Sequence, residues 1–301
     1  MAQAVQQRRI PLPSAGVEIA ALDWGGDGPL VLMHHANGFC AGTLGLVAEA
    51  LVPAYRVVGI DARGHGDSSK PEGPDAYRWA RFADDLLEVA ELLAAERRDG
   101  RVAVGLGHSF GGTAVIGAAA RRPELFGRLV LVDPVIPPPA ELVAAFDPDR
   151  LERLRGMVEA AQRRRSVWPS RDEARAHFAT RSLFADWLPA ALDLYVEHGL
   201  RQLADGQVEL KCPGAIEAAI FAESGGLDLA ELARRVRAPA VWLWAMRGNF
   251  PRQLYERIAG LMASSRILDC DCGHLIPMVR PELVVEAVRA GEEERWASST
   301  T

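Results

Sequence analysis

The stretch "VAVGLGHSFGGTA", residues 102–114, decides the fold. An apolar run meets a glycine-rich turn and a small-residue segment follows, the pattern of a strand that turns sharply into a helix. Two machines use such a turn. One cradles a phosphate on backbone N–H groups, and the other holds up a serine as a nucleophile. The phosphate reading fits poorly. Gly105, Gly107 and Gly111 are spaced G-x-G-x-x-x-G, one residue longer than the dinucleotide fingerprint, although Asp133 ends the next strand at a suitable distance. The turn also follows several earlier strands, and no G-K-[ST] is present. The serine reading needs no adjustment, because Gly107-His108-Ser109-Phe110-Gly111 is G-x-S-x-G. Ser109 must sit in a strained turn with its hydroxyl exposed, and glycines two positions to either side let strand and helix pass closely.

Outward from this turn, "VEIAALDWG" alternates and predicts an early antiparallel strand. "PLVLMHH", "YRVVGID", "RVAVGLG" and "GRLVLVD" read as short buried strands, and "YRWARFADDLLEVAELLAAE" and "GTAVIGAAARRP" as helices. Strands alternating with helices imply a doubly wound, mostly parallel sheet. The rhythm stops near Pro134. From there to about Val236 the pattern is helical with no clear strand, and Pro137, Pro138 and Pro139 mark the boundary. The rhythm resumes with "PAVWLWA", "PRQLYERIAGLM", "SRILDC" and "PELVVEAVRA". The expectation is an α/β core from residues 1–135 and 237–301, interrupted by a helical insertion at 136–236.

Composition excludes several classes. The 301 residues are 49% apolar and 25% charged, ordinary for a globular chain that needs no staples. The net charge is −6 with no basic stripe, which speaks against a nucleic-acid partner. Lys70 and Lys211 are the only lysines, and Arg163–Arg165 reads as a solvated helix face. No apolar run is long enough to span a membrane, and "MAQAVQQRRIPLPS" has no signal-peptide core. Cys40, Cys212, Cys270 and Cys272 show neither redox nor metal spacing, so reduced thiols in a cytoplasmic protein are expected.

A serine nucleophile needs a base. Of seven histidines, only His274 lies after the last predicted strand, in "DCGHLIPMVRPE". His108 is held in the turn itself, His65 sits in the "RGHG" loop, and His177 and His198 lie in the insertion. An oxyanion hole needs two N–H donors. Phe110, just after the serine, offers one, and Asn37 in the loop "HHANGF" is the best candidate for the second, although Asn-Gly is also an ordinary turn.

The chain resembles the α/β-hydrolase superfamily, in the branch with a helical cap. "HHANGF" (34–39), "DARGHGDSS" (61–69), "GHSFGG" (107–112), "LVLVDP" (129–134) and "CGHLIPMVRPE" (272–282) carry the resemblance. It implies an eight-stranded sheet with a lid inserted after the sixth strand. Many relatives place the triad acid after the seventh strand, but "WAMRGNFP" there has no carboxylate, and Glu256 falls later, in a helix. Some relatives, many haloalkane dehalogenases among them, place it after the sixth strand, where Asp133 stands. Asp133 is therefore assigned, with Asp269 and Asp271 as alternatives. Dehalogenases and epoxide hydrolases of this fold use an aspartate nucleophile; the serine here points to acyl transfer through an acyl-enzyme.

The resemblance thus implies a hydrolase for a small-molecule carboxylic ester, lactone or related acyl compound, with no cofactor and no metal. Candidate pocket residues are His35, His108, Trp244, Met246 and Leu275. Phe146, Trp168, Phe178, Phe184, Trp187 and Phe221 in the insertion are read mainly as packing between lid and core. The same triad also supports C–C bond hydrolysis, cofactor-free perhydrolysis and acyl transfer to another acceptor, and some members of the fold serve as ligand receptors.

Overall fold

The computed structural model describes residues 4–137, 149–223 and 226–298. Its main sheet has eight strands: β1 (Gln6–Leu12), β2 (Val17–Gly25), β3 (Leu30–His34), β4 (Arg56–Ile60), β5 (Val102–His108), β6 (Phe126–Val132), then, past the inserted segment, β10 (Ala240–Ala245) and β11 (Ser265–Cys270). Their order is β1-β2-β4-β3-β5-β6-β10-β11. β2 runs antiparallel to both its neighbours, β1 and β4; the pairings from β4 across to β11 are all parallel. The expected antiparallel strand "VEIAALDWG" is β2. Its partner β1 carries Arg8 and Arg9 and buries only Ile10 and Leu12, so its sequence shows no strand-like alternation.

The side-chain period of two divides the core into two layers. On β6, Leu129 and Leu131 face one cluster, and Val130 and Val132 the other. The first layer holds α2 (Trp79–Ala95) and α3 (Phe110–Arg121), joined by α8 (Leu229–Arg235) and α9 (Arg252–Ala259). The second holds α1 (Gly45–Leu51) and α11 (Pro281–Ser298), which follows the short α10 (Ile276–Val279). All five residues of β3 are buried, as a central parallel strand covered on both faces requires.

Between β6 and β10 lie α4 (Arg150–Arg163), α5 (Arg171–Ala179), α6 (Pro189–Gly199) and α7 (Gly214–Ala222). The expectation of helices alone is corrected here. β7 (Val167–Trp168), β8 (Leu200–Gln202) and β9 (Val208–Leu210) form a small antiparallel sheet, ordered β7-β9-β8. Strands of two and three residues are too short to display alternation, so sequence periodicity could not report them. Trp168, Phe178, Phe184 and Trp187 pack in one apolar cluster with Phe39 of the main body, in line with the packing reading; Phe221 is half-buried. Phe146, Pro138 and Pro139 lie outside the described residues. The inserted segment rests on helices of the main body: Leu188 N–H donates to Met278 O of α10 at 3.0 Å, and Trp79 Nε1–H at the start of α2 donates to Ile220 O at 2.8 Å.

Candidate active site

Ser109 lies between β5 and α3, as the residue that caps the helix, with φ 57° and ψ −124°. A positive φ is costly for a residue with a β-carbon, so the surroundings must impose it. The neighbouring glycines show how. A Cβ on Gly107 would overlap the Gly111 carbonyl, and a Cβ on Gly111 would lie 2.5 Å from the carbonyl oxygens of both His34 and His35. Strand, turn, helix and the end of β3 thus meet at contact distance. Backbone bonds fix the turn: Ser109 N–H donates to Val132 O at 2.9 Å, and Ser109 O accepts from Gly112 N–H at 2.9 Å.

Asp133 directly follows β6, the next strand, also at positive φ (38°). His274 comes from the loop after β11 and reaches back across the end of β10. The Ser109 hydroxyl donates to His274 Nε2 at 2.8 Å, and His274 Nδ1–H donates to Asp133 Oδ2 at 2.6 Å. This places the imidazole proton on Nδ1 and leaves Nε2 as the acceptor that faces the serine. The other Asp133 oxygen, Oδ1, accepts from Ala245 N–H at 3.0 Å and from the Tyr255 hydroxyl at 2.9 Å. Both Ser109 and Asp133 are buried, at 6% and 1% exposure, so the serine hydroxyl is less open than the sequence reading expects. Such a chain can pass a proton from a hydroxyl to an imidazole held by a buried carboxylate.

Phe110 is the first residue of α3, so its N–H has no acceptor within the helix. Its ring is buried against Trp79, Phe82 and His34. Asn37 lies in the loop after β3, the strand beside β5, where His34 pairs with Gly107. Its side chain is engaged: Nδ2–H donates to Glu217 O at 3.0 Å, and Oδ1 lies 3.0 Å from His65 Nε2.

A model of the alpha/beta hydrolase family matches residues 30–287. The chain belongs to the α/β-hydrolase family. It is a hydrolase of this family, and its sheet matches solved members: a crystal structure of E-2-(acetamidomethylene)succinate hydrolase superposes with a TM-score of 0.78 at 21% identity, covering 95% of this chain and 98% of that one. Lipase LipV of Mycobacterium tuberculosis is 29% identical over 251 residues, 79% of this chain and 84% of the lipase. The bifunctional esterase/perhydrolase DCH of Acinetobacter calcoaceticus is 33% identical over 145 residues, 46% of this chain and 48% of that enzyme.

In this hydrolase the five expected pocket residues occupy different settings. His35 is fully buried and committed: Nδ1–H donates to Ala36 O at 2.7 Å and Nε2 accepts from Ala62 N–H at 2.9 Å. Burial pushes its pKa down to about 4. His108 is buried as well, donates from Nε2 to the His274 carbonyl at 3.0 Å, and is pushed down to about 3 by burial and by His274. Trp244 is half-buried, donates to Phe250 O at 2.9 Å and sits beside Arg252. Met246 is 51% exposed. Leu275, next to His274, packs against the apolar cluster shared with the inserted segment. Asp269 faces Arg252 at 2.9 Å, Asp271 is paired with Arg247, and Glu256 is paired with Arg252. Asp133, not these three, meets His274.

Tyr255 is the site residue that sequence reading missed. It is a buried position of an amphipathic helix, and nothing local marks its hydroxyl as a carboxylate partner. Among the described residues, no group of three or more His, Cys, Asp or Glu side chains is arranged to hold a metal ion, and no helix is long and apolar enough to cross a membrane.

Proposed function

We propose that the protein is a serine hydrolase that cleaves a carboxylic ester, lactone or related acyl bond of a small molecule through a covalent acyl-enzyme. The observation that carries this reading is the unbroken hydrogen-bond chain from Ser109 through His274 to Asp133, at 2.8 and 2.6 Å, with the serine at positive φ. Ser109 Oγ attacks the substrate carbonyl while His274 Nε2 takes its proton. Asp133 holds the imidazole in the Nδ1–H form and stabilises the imidazolium as it appears. The N–H groups of Phe110 and Asn37 receive the developing oxyanion. His274 protonates the leaving alkoxide. Water then attacks the acyl-enzyme with His274 again as base, and Ser109 is released. This chemistry needs no metal or organic cofactor.

Residues 136–236 act in this reading as a cap on the core formed by 1–135 and 237–301. Their contacts with the loops after β3, β4 and β11 support that role. A cytoplasmic location is supported by four buried free thiols, and the absence of a nucleic-acid partner by the acidic balance of the chain. The test is turnover of p-nitrophenyl esters from acetate to octanoate. The reading expects a burst of one p-nitrophenol per chain followed by steady turnover, both lost in Ser109→Ala. Hydrolysis that survives Ser109→Ala would sink it.

A further inference from the structure

Residues 37–39 of the candidate oxyanion loop are held from both sides. On the core side, Gly38 N–H donates to His65 Nε2 at 3.0 Å, and His65 Nδ1–H donates to Arg63 O at 3.0 Å. On the inserted side, three consecutive residues each meet a different group. Asn37 Nδ2–H donates to Glu217 O on α7, and the Phe39 ring packs against Trp187 and Tyr195. Gly38 backs onto the Glu217 carboxylate so closely that a Cβ there would lie 2.5 Å from Oε1. Gly38 also has φ +80°, so both space and backbone demand glycine.

A carboxylate in that position is a liability for an oxyanion site, because negative charge would face negative charge in a poorly solvated place. Here it is cancelled. Arg164, just past α4, pairs with Glu217 Oε2, and its second arm donates to the Tyr195 hydroxyl of α6 at 2.9 Å. The side chains of Arg164 and Glu217 keep only 21% and 14% of their exposure. Three helices of the inserted segment therefore converge on one guanidinium, which neutralises the carboxylate that backs onto Gly38. Burying such a pair is no efficient source of stability, since apolar side chains of similar volume do as well.

We infer that Arg164 is a positioning residue of the reaction: by pairing with Glu217 it fixes residues 37–39 from the inserted segment and keeps the oxyanion site free of net negative charge. The inference rests on the serine-hydrolase reading above. It makes an asymmetric prediction. Arg164→Met leaves Glu217 unpaired beside the loop and lowers kcat by about 10- to 100-fold with KM changed less than about threefold, the scale of a unit charge acting over several ångströms at intermediate dielectric. Adding Glu217→Gln to Arg164→Met removes the stray charge and restores kcat to within about fivefold of the natural protein, while Arg164→Lys keeps the charge balance but loses the two-armed link from Glu217 to Tyr195 and falls between Arg164→Met and the natural protein. Rescue of stability alone would also follow from a structural pair, since an unpaired buried carboxylate destabilises the fold; the positioning role is read from kcat falling and recovering in protein that is folded at the assay temperature, with KM little changed.

The experiment measures kcat and KM on a p-nitrophenyl ester, and the rate of fluorophosphonate labelling, for the natural protein, Arg164→Met, Arg164→Lys, Glu217→Gln and the double variant. Circular dichroism and melting temperature report folding. Loss in Arg164→Met with rescue in the double variant supports the inference. No loss, a loss without rescue, or a change confined to KM overturns it. Should Arg164→Met fail to fold, Arg164→Gln takes its place, alone and combined with Glu217→Gln, with the same loss and the same rescue expected. A natural protein that neither labels nor turns over sinks the serine-hydrolase reading itself, an outcome separate from any pattern among the variants.

Discussion

The hydroxyl of Tyr255 lies 2.9 Å from Oδ1 of Asp133, across 122 residues of sequence. The tyrosine is fully buried, and burial together with the Asp133 charge raises its pKa well above the ordinary value, so the hydroxyl keeps its proton. It donates to Asp133 or to Pro134 O, also at 2.9 Å. With the Ala245 N–H it occupies the carboxylate oxygen that does not face His274, leaving Oδ2 for the imidazole.

Tyr255→Phe tests that arrangement. Hydrogen bonds to a charged group contribute about 1.5–3 kcal/mol, so kcat should fall by roughly 10-fold and stability by about 1–2 kcal/mol. Steady-state kinetics and urea unfolding measure both. An unchanged kcat would show that Ala245 N–H alone holds the carboxylate.

Asp133→Asn should lower kcat by about 10⁴-fold with little loss of fold, because an amide cannot hold the imidazole in the required tautomer. Asp269→Asn, Asp271→Asn and Glu256→Gln should stay within about twofold, since all three carboxylates are themselves exposed and such surface pairs contribute little. A large loss in any of these three, with Asp133→Asn active, would move the acid elsewhere.

Stability should fall steeply in acid. Burial pushes His34 and His108 down to about 3, His35 to about 4, and His65 well below its ordinary value. Above about pH 6.5 folded and unfolded chains both hold these rings neutral. As pH falls, the unfolded chain takes up protons that the folded chain refuses until about pH 3–4. The stabilisation is therefore full above about pH 6.5 and is lost as pH falls towards 3–4, at up to about 1.4 kcal/mol per pH unit for each ring. Urea unfolding at pH 7, 6 and 5 measures the slope. A flat stability between pH 7 and 5 would contradict the neutral, buried state of these rings.

Two glycine replacements should act in opposite directions. Gly111→Ala forces a Cβ against two backbone carbonyls that cannot move aside, and a loss of at least about 2–3 kcal/mol is expected, the scale of overpacking a rigid site. Gly156→Ala on α4 meets nothing within 4 Å, so stability should rise by roughly 0.5–1 kcal/mol from helix propensity. Chemical denaturation of both variants checks the pair; equal effects would contradict the close packing at the turn.

Legibility in the sequence followed the range of the interactions. Ser109 was legible because its turn is local: strand, glycines and helix are consecutive. His274 was legible from its place after the last strand. Asp133 was assigned only through the resemblance to relatives that carry the acid after the sixth strand, because an Asp-Pro at a strand end says nothing by itself about an imidazole 141 residues away. Tyr255 and Glu217 were illegible for the same reason carried further, since each earns its role from one contact with a distant loop. The pocket residues were chosen by nearness to strand ends, which fixes a position along the chain but not the direction of a side chain. His35 shows the difference: it stands at the end of β3 with both ring nitrogens already bonded. β1 and the small sheet were missed because charged or very short strands carry no periodic signal.

The central claim is that Ser109 is a nucleophile activated by His274. The most direct test is to treat the protein with a fluorophosphonate, digest it and map the adduct by mass spectrometry, with His274→Ala in parallel. The account predicts one adduct, on Ser109, formed at least about 100-fold more slowly in His274→Ala, since hydroxyl attack without its base loses most of its rate. An adduct on another residue, or labelling of Ser109 at the same rate without His274, would contradict it.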